Sequence, residues 1–217
     1  FLGRVDYAEA LALQHRLRDE VQDGKRGATL LLLEHPPTIT LGLRANESDL
    51  RASRAVLTDR GVALHYADRG GRATFHGPGQ LVGYPIVSLP RLGLAVPEYV
   101  RALAEGVARV ANAYGVDLVW SDERPGLWHD SGKVAAFGVH VTRGVTCHGF
   151  AFNVSPELDS FDLIVPCGHA DAATTSLAAI TGRTPALTDV AAETAVAVAA
   201  ALGLRAVLVA RRDVGGE

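Results

Sequence analysis

The sequence predicts an α+β protein, a mixed and largely antiparallel sheet flanked by helices. Three observations carry that expectation. Short apolar segments of strand length recur through the middle of the chain. Two of them, 133-KVAAFGVHV-141 and 145-VTCHGFAFNV-154, are separated only by Thr142-Arg143-Gly144, a hairpin spacing. Helical periodicity falls before and after these strands, which suits helices packed on a sheet of neighbouring strands.

The elements follow in order. Asp6 to about Val21 reads as an amphipathic helix with Ala8, Leu11 and Leu17 toward the core. The run 28-ATLLLLEH-35 stops at Pro36-Pro37 and reads as a buried strand; 38-TITLG-42 is a second. A short helix is expected near Ser53 to Thr58, then a strand over 62-VALHYA-67. The stretch 69-RGGRATFHGPGQ-80 reads as a glycine-rich loop, and 81-LVGYPIVSL-89 as the next strand. Pro97 opens the strongest helix, with Val100, Leu103, Val107, Val110 and Tyr114 at helical spacing and Gly115 as its stop. A strand over 117-DLVWS-121 precedes the hairpin, and the polar loop 155-SPELDS-160 follows it. A short helix is expected from Thr174 to Ile180, and a final one, capped by Thr188, to about Leu202. No repeat or linker is visible, so residues 1–217 are expected to form a single domain.

Composition narrows the function classes. With 217 residues, 48% of them hydrophobic, the chain can bury a full core. A net charge of −3 gives no general pull toward nucleic acid or anionic membrane. No apolar run is long enough to span a bilayer and the N-terminal stretch lacks the apolar region of a signal peptide, so a cytoplasmic location is expected. The two cysteines, Cys147 and Cys167, are then expected to be reduced. Alternation in the strand would send Cys147 and His148 to opposite faces, which is wrong for joint metal ligation.

Lys133 shares strand parity with Ala135, Phe137, Val139 and Val141, so alternation places it at the head of an apolar row. Either it snorkels to water, or it is partly desolvated beside an apolar cavity. On the paired strand, His148, Phe150 and Phe152 would share one face and Cys147, Gly149 and Ala151 the other. Gly138, Gly149, Ala135, Ala136 and Ala151 leave room either for a ligand groove or for a close-packed helix. His148 reads as a hydrogen-bonded core histidine. The 69–80 stretch matches neither phosphate-loop pattern. Cys167 lies in 161-FDLIVPCGHADAATTSL-177 between a proline and a glycine, a flank better suited to a fixed turn than to packing. Nearby backbone N–H groups would favour a thiolate, and a histidine-assisted hydrolase stays open on spacing alone.

Together, RGGRATFHGPGQLVGYPI, GKVAAFGVHVTRGVTCHGFAFNV and LIVPCG…TSL resemble the octanoyltransferases of lipoate biosynthesis over about residues 28–180. The resemblance implies the fold of biotin and lipoate protein ligases and of the class II aminoacyl-tRNA synthetase core. It implies an acyl transfer from octanoyl-acyl carrier protein to a lysine of lipoyl domains, those of 2-oxoacid dehydrogenase E2 subunits and of the glycine cleavage H protein. It carries a catalytic Cys167/Lys133 dyad with a thioester intermediate, no cofactor and no metal. It maps substrate contacts onto Arg69, Gly70, Gly71, Arg72, Ala73, Thr74, Phe75 and His76, onto Ala136, Phe137 and Gly138, and onto Gly149, Phe150 and Ala151. Cys147 stands where the family pattern has an aromatic residue, which marks it as a spectator. Acidic partners would call for a local basic patch, with Arg69, Arg72 and Arg143 the candidates, on an expected monomer. The nearest rival is an ATP-dependent lipoate–protein ligase, which needs no cysteine nucleophile; a non-catalytic acyl-binding protein is another.

Overall fold

The computed structural model describes residues 1–165 and 173–209. Asp6 caps the first helix, α1 (Tyr7–Gln22), by accepting the N–H of Ala8 at 2.8 Å. Strands β1 (Thr29–Leu33) and β2 (Thr38–Leu41) follow, then α2 (Arg54–Asp59) and β3 (Ala63–Tyr66). The glycine-rich stretch is less loop-like than its composition suggests. It contains β4 (Ala73–His76) and opens β5 (Gln80–Ile86), so only residues 67–72 and 77–79 turn there. After a short α3 (Leu89–Leu92) come α4 (Val96–Ala113), β6 (Val119–Trp120), β7 (Leu127–His129), β8 (Gly132–Thr142) and β9 (Val145–Asn153). A 3-10 turn covers Leu158–Leu163, and α5 (Leu177–Thr181) and α6 (Leu187–Ala201) close the described chain.

Six strands form an antiparallel sheet in the order β1-β5-β9-β8-β7-β6. A smaller sheet has the order β3-β2-β4, with β2 parallel to β3 and antiparallel to β4. One face of the large sheet, with Leu81, Ala135, Phe150 and Phe152, packs on Tyr99, Leu103 and Val107 of α4 and on Val190 and Val198 of α6. The other face, with Val82, Tyr84 and Cys147, receives Ala10, Leu17 and Val21 of α1. A third cluster joins Ile39 and Phe75 of the small sheet to Leu57, Phe161 and Ile164. The mixed, largely antiparallel sheet flanked by helices is therefore the architecture observed.

Two helix starts differ from the sequence expectation. Residues 173–175 stay extended because they pair with Lys133, and Ser176 caps α5 by accepting the N–H of Ala179 at 3.1 Å. The last helix starts one residue before Thr188. Ala186, held extended after Pro185, is its N-cap and supplies no side-chain bond.

The β8–β9 turn has positive φ at both central residues, 49° at Arg143 and 78° at Gly144. That geometry matches strand twist in a two-residue hairpin and pins the register. Gly138 pairs with Gly149, Phe137 with Phe150 and Ala136 with Ala151.

Helix α4 meets α6 at Gly106, where an added Cβ would lie 2.8 Å from the Cα of Val198. Gly106→Ala should therefore destabilise the fold by about 1–3 kcal/mol through overpacking, against a helix-propensity gain of about 1 kcal/mol. Urea unfolding checks the sign, and a stabilised variant would mean that the two helices part easily.

Candidate active site

Alternation alone does not place Lys133. Leu127 of β7 pairs with Ala135, but Trp128 pairs with Lys133, so β8 carries one extra residue between the two pairs. The bulge sends the consecutive Val134 and Ala135 into the same helix-facing core. Lys133 no longer follows the parity of Ala135. It lines a cleft with Ala136 and Ala151 on the opposite face, which corrects the simple face assignment. Its side chain is 7% exposed, its ammonium donates to Pro125 O at 3.3 Å, and Nζ lies 4.8 Å from the Trp128 ring centre. Gly126 makes room for it, since a Cβ there would sit 2.9 Å from Lys133 Cε.

The cleft continues from Lys133 into a larger hollow between the two sheets. Ala73, Thr74, Ala136 and Ala151 line both parts. The larger part is bounded by Arg69, Gly71, Arg72 and His76, by Phe137 and Gly138, and by His148, Gly149 and Phe150. The expected contact residues thus converge, with two exceptions. Phe75 turns away into the third core and meets the Phe161 ring at 5.3 Å. Gly70 acts through its backbone: its N–H donates to Val139 O at 3.0 Å, and its carbonyl lies where a Cβ on Gly138 would clash. Tyr7, Val82 and Tyr84 also line the hollow and were not singled out from the sequence. No local signal marks them, because they arrive by packing of α1 and β5 across the sheet.

Arg69 is 8% exposed. Its guanidinium donates to Thr40 O and Thr40 Oγ1, both at 2.7 Å, and to Arg72 O at 3.0 Å. Arg72 in turn forks onto the buried Asp49, with its closest contact at 2.7 Å. Arg69 therefore sews the glycine-rich turn to β2 and belongs to no basic surface patch. Arg143 is exposed, at the far turn of the β8–β9 hairpin.

His148 has φ 56°, left-handed backbone in mid-strand. This removes it from the Phe150 and Phe152 face and directs Nε2–H to Asp68 Oδ1 at 2.6 Å, beside the Tyr84 ring. It is the hydrogen-bonded, buried histidine expected, though it also lines the hollow. Burial holds it below the ordinary imidazole value, outweighing Asp68. Partial burial opposes ionisation of Asp68, but the His148 hydrogen bond and the neighbouring imidazoles outweigh that and keep its carboxyl low. Burial likewise lowers His35 and takes His76 well down. The Cys147 thiol is pushed up to about 11, first by burial, so it is a poor nucleophile near neutrality.

Cys167 lies outside the described residues. The segments on either side of it are described: Ile164 before it and Thr174 after it both line the cleft beside Lys133. Among the described residues no cluster of three or more His, Cys, Asp or Glu side chains could hold a metal ion, and no helix is long and apolar enough to cross a membrane.

The two-sheet α+β scaffold defines a fold shared with solved lipoate and biotin protein ligases. The fold superposes on the bipartite lipoate protein ligase of Thermoplasma acidophilum with a TM-score of 0.69 at 14% identity, covering 93% of this chain and 84% of that one. It also superposes on the Aquifex aeolicus biotin protein ligase, in a complex with biotin and ATP, with a TM-score of 0.51 at 16% identity over 76% and 70% of the chains. The lipoyl protein ligase A/B catalytic domain family matches residues 6–199, and the chain belongs to that family. Within it, the octanoyltransferase of Chloroflexus aggregans is 46% identical over 209 residues, 95% of each chain.

The buried histidines His35, His76 and His148 make stability acid-sensitive. An unfolded histidine takes a proton near pH 6.5, whereas folded His35, His76 and His148 resist it to lower pH. Below that value the unfolded chain binds more protons, so stability falls as pH falls, by up to about 1.4 kcal/mol per pH unit for each histidine. The Tm should drop between about pH 7.5 and about pH 5.5, and His76→Gln should flatten part of the slope. An unchanged Tm would mean that these imidazoles accept protons in the folded state.

Proposed function

We propose that this chain is the acyltransferase that moves an octanoyl group from acyl carrier protein to a lysine of a lipoyl domain, through a thioester on Cys167. The observation that carries the reading is the apolar cleft that ends at buried Lys133, in a chain so similar to an octanoyltransferase. The alanines and glycines of β8 and β9 admit an alkyl chain along the sheet. Each methylene buried there contributes about 0.8 kcal/mol, enough to favour a medium chain over a short one.

In the first half-reaction the Cys167 thiolate attacks the thioester carbonyl. A C–S bond forms to the enzyme, the carrier's C–S bond breaks, and the carrier thiol leaves with a proton. In the second, the acceptor lysine attacks as a free amine; a C–N bond forms, the enzyme C–S bond breaks, and the displaced proton stays in the site. Lys133 is the group suited to stabilise the thiolate and to hold that proton. Thioester to amide runs downhill, so the scheme uses no ATP and no metal. The donor is octanoyl-acyl carrier protein, and the acceptors are lipoyl domains of the E2 and H-protein kind. The whole chain acts as one catalytic unit.

The relation in fold to lipoate protein ligases keeps one competing reading: activation of a free acid by ATP. Intact mass after mixing with octanoyl-acyl carrier protein, without ATP, separates the two. A hydroxylamine-labile octanoyl adduct on the wild type but not on Cys167→Ala supports the transferase. Activity only with octanoate, ATP and Mg²⁺ overturns it. Lys133→Ala should lower kcat by about 10²–10⁴-fold, and turnover within a few fold of wild type would remove Lys133 from the mechanism.

A further inference from the structure

Five buried side chains, none of them Lys133 or a cysteine, run in a line from the wall of the hollow to the strand beside Lys133. Arg69 Nη2 donates to Thr40 Oγ1 at 2.7 Å, and Thr40 Oγ1 meets His76 Nε2 at 3.4 Å. His76 Nδ1 meets Gln80 Oε1 at 2.7 Å. Gln80 Nε2 donates to Asn153 Oδ1 at 2.9 Å, and Asn153 Nδ2 donates to Thr175 O at 3.0 Å. Thr40, His76, Gln80 and Asn153 are each less than 7% exposed.

The direction of this line follows from its ends. A guanidinium only donates and a backbone carbonyl only accepts. Asn153 must turn its NH₂ to Thr175 O, so its oxygen faces Gln80. Gln80 must turn its NH₂ to Phe75 O, 3.1 Å away, and to Asn153, so its oxygen faces His76. His76 must then carry its proton on Nδ1, leaving Nε2 bare to accept from the Thr40 hydroxyl. Every donor points from Arg69 toward Thr175. Such a chain polarises each member and leaves no second arrangement with all partners satisfied.

Its far end holds the strand on which Lys133 is registered. Lys133 N–H donates to Ala173 O and Thr175 N–H donates to Lys133 O, both at 2.9 Å. Gly132 is needed at this crossing, since a Cβ there would lie 2.6 Å from Ala173 O. Gln80 and Asn153 themselves line the cleft beside Lys133, whereas His76 lines the larger hollow. The chain thus ties the small sheet, the large sheet and the 173–175 segment to one another.

We propose that Gln80 and Asn153 are positioning residues, which, through a one-way hydrogen-bond chain from Arg69, Thr40 and His76, hold residues 173–175 in register against Lys133 for acyl transfer. This rests on the assignment of Lys133 to the chemistry. Both residues act on the reacting geometry rather than on capture of the carrier.

The test measures kcat and the KM for octanoyl-acyl carrier protein in Asn153→Ala, Asn153→Asp, Gln80→Ala and the Gln80→Ala/Asn153→Ala double variant. Thr40→Val is the mild, shape-preserving change at the distal end. Thr194→Ala, which removes a buried hydroxyl bonded within α6, controls for lost stability. The expected result is at least about a tenfold fall in kcat for the Asn153 and Gln80 variants, with KM within about twofold. The double variant should be no worse than about the poorer single one, because the bonds act in series. Thr40→Val should lower kcat less, and Thr194→Ala should lower Tm alone. The ¹⁵N spectrum should show His76 protonated at Nδ1 and bare at Nε2. Full kcat in Asn153→Ala and Asn153→Asp with Lys133→Ala inactive would overturn the positioning role alone. Full activity in Lys133→Ala would instead overturn the assignment of Lys133. An Nε2–H tautomer of His76, or additive losses in the double variant, would refute the one-way chain even with kcat reduced.

Discussion

The register of β8 against β9 is the constraint on which the site depends. It pairs glycine with glycine and alanine with alanine on the face toward the small sheet, and phenylalanine with phenylalanine on the face toward α4. A slip of one residue would bring aromatic rings into the cleft and glycines into the core. The Arg143-Gly144 turn sets this register at one end. At the other end, one extra residue in β8 shifts the phase so that a lysine can face the cleft while Val134 and Ala135 stay buried together.

The cleft also needs its second wall to hold still, and that wall is mostly backbone. Arg69 spends its guanidinium on carbonyls of the turn and on Thr40, and Gly70 settles directly over Gly138. A side chain at Gly138 would displace that wall. Arg72 forks onto Asp49, and Asp49 O accepts the N–H of Val165 at 2.8 Å on the chain's way toward Cys167. Two arginines that the family resemblance suggests for a docking patch thus act as fasteners of this wall, Arg69 buried and Arg72 partly exposed.

Polar groups under the cleft are arranged as firmly as the apolar ones. His148 takes left-handed backbone to reach Asp68, and its own N–H donates to Gln14 Oε1 at 2.7 Å. His35 bridges Val5 O and the Tyr84 hydroxyl, each at 2.7 Å. These bonds join α1, the segment after β1, β5 and β9 beneath the hollow. A buried polar layer of this kind resists rearrangement, because breaking one bond leaves a donor or acceptor without water.

The sequence by itself determined the α+β class, most strands and helices, the hairpin turn and the small-residue patches, because period, turn chemistry and helix caps are local. It also marked Lys133, the glycine-rich stretch and Cys167 through motif order. Only the tertiary structure decided that Lys133 leaves the face its parity assigns, since a bulge is set by pairing with β7. The same holds for Thr174, held extended by Lys133 where a helix was expected, and for Phe75, drawn into the core by Phe161. Tyr7, Tyr84 and Asn153 join the site across large sequence separations, and the direction of the His76–Gln80–Asn153 bonds follows from carbonyls on other strands. Contacts of that kind are properties of the packed sheet and have no counterpart in local sequence.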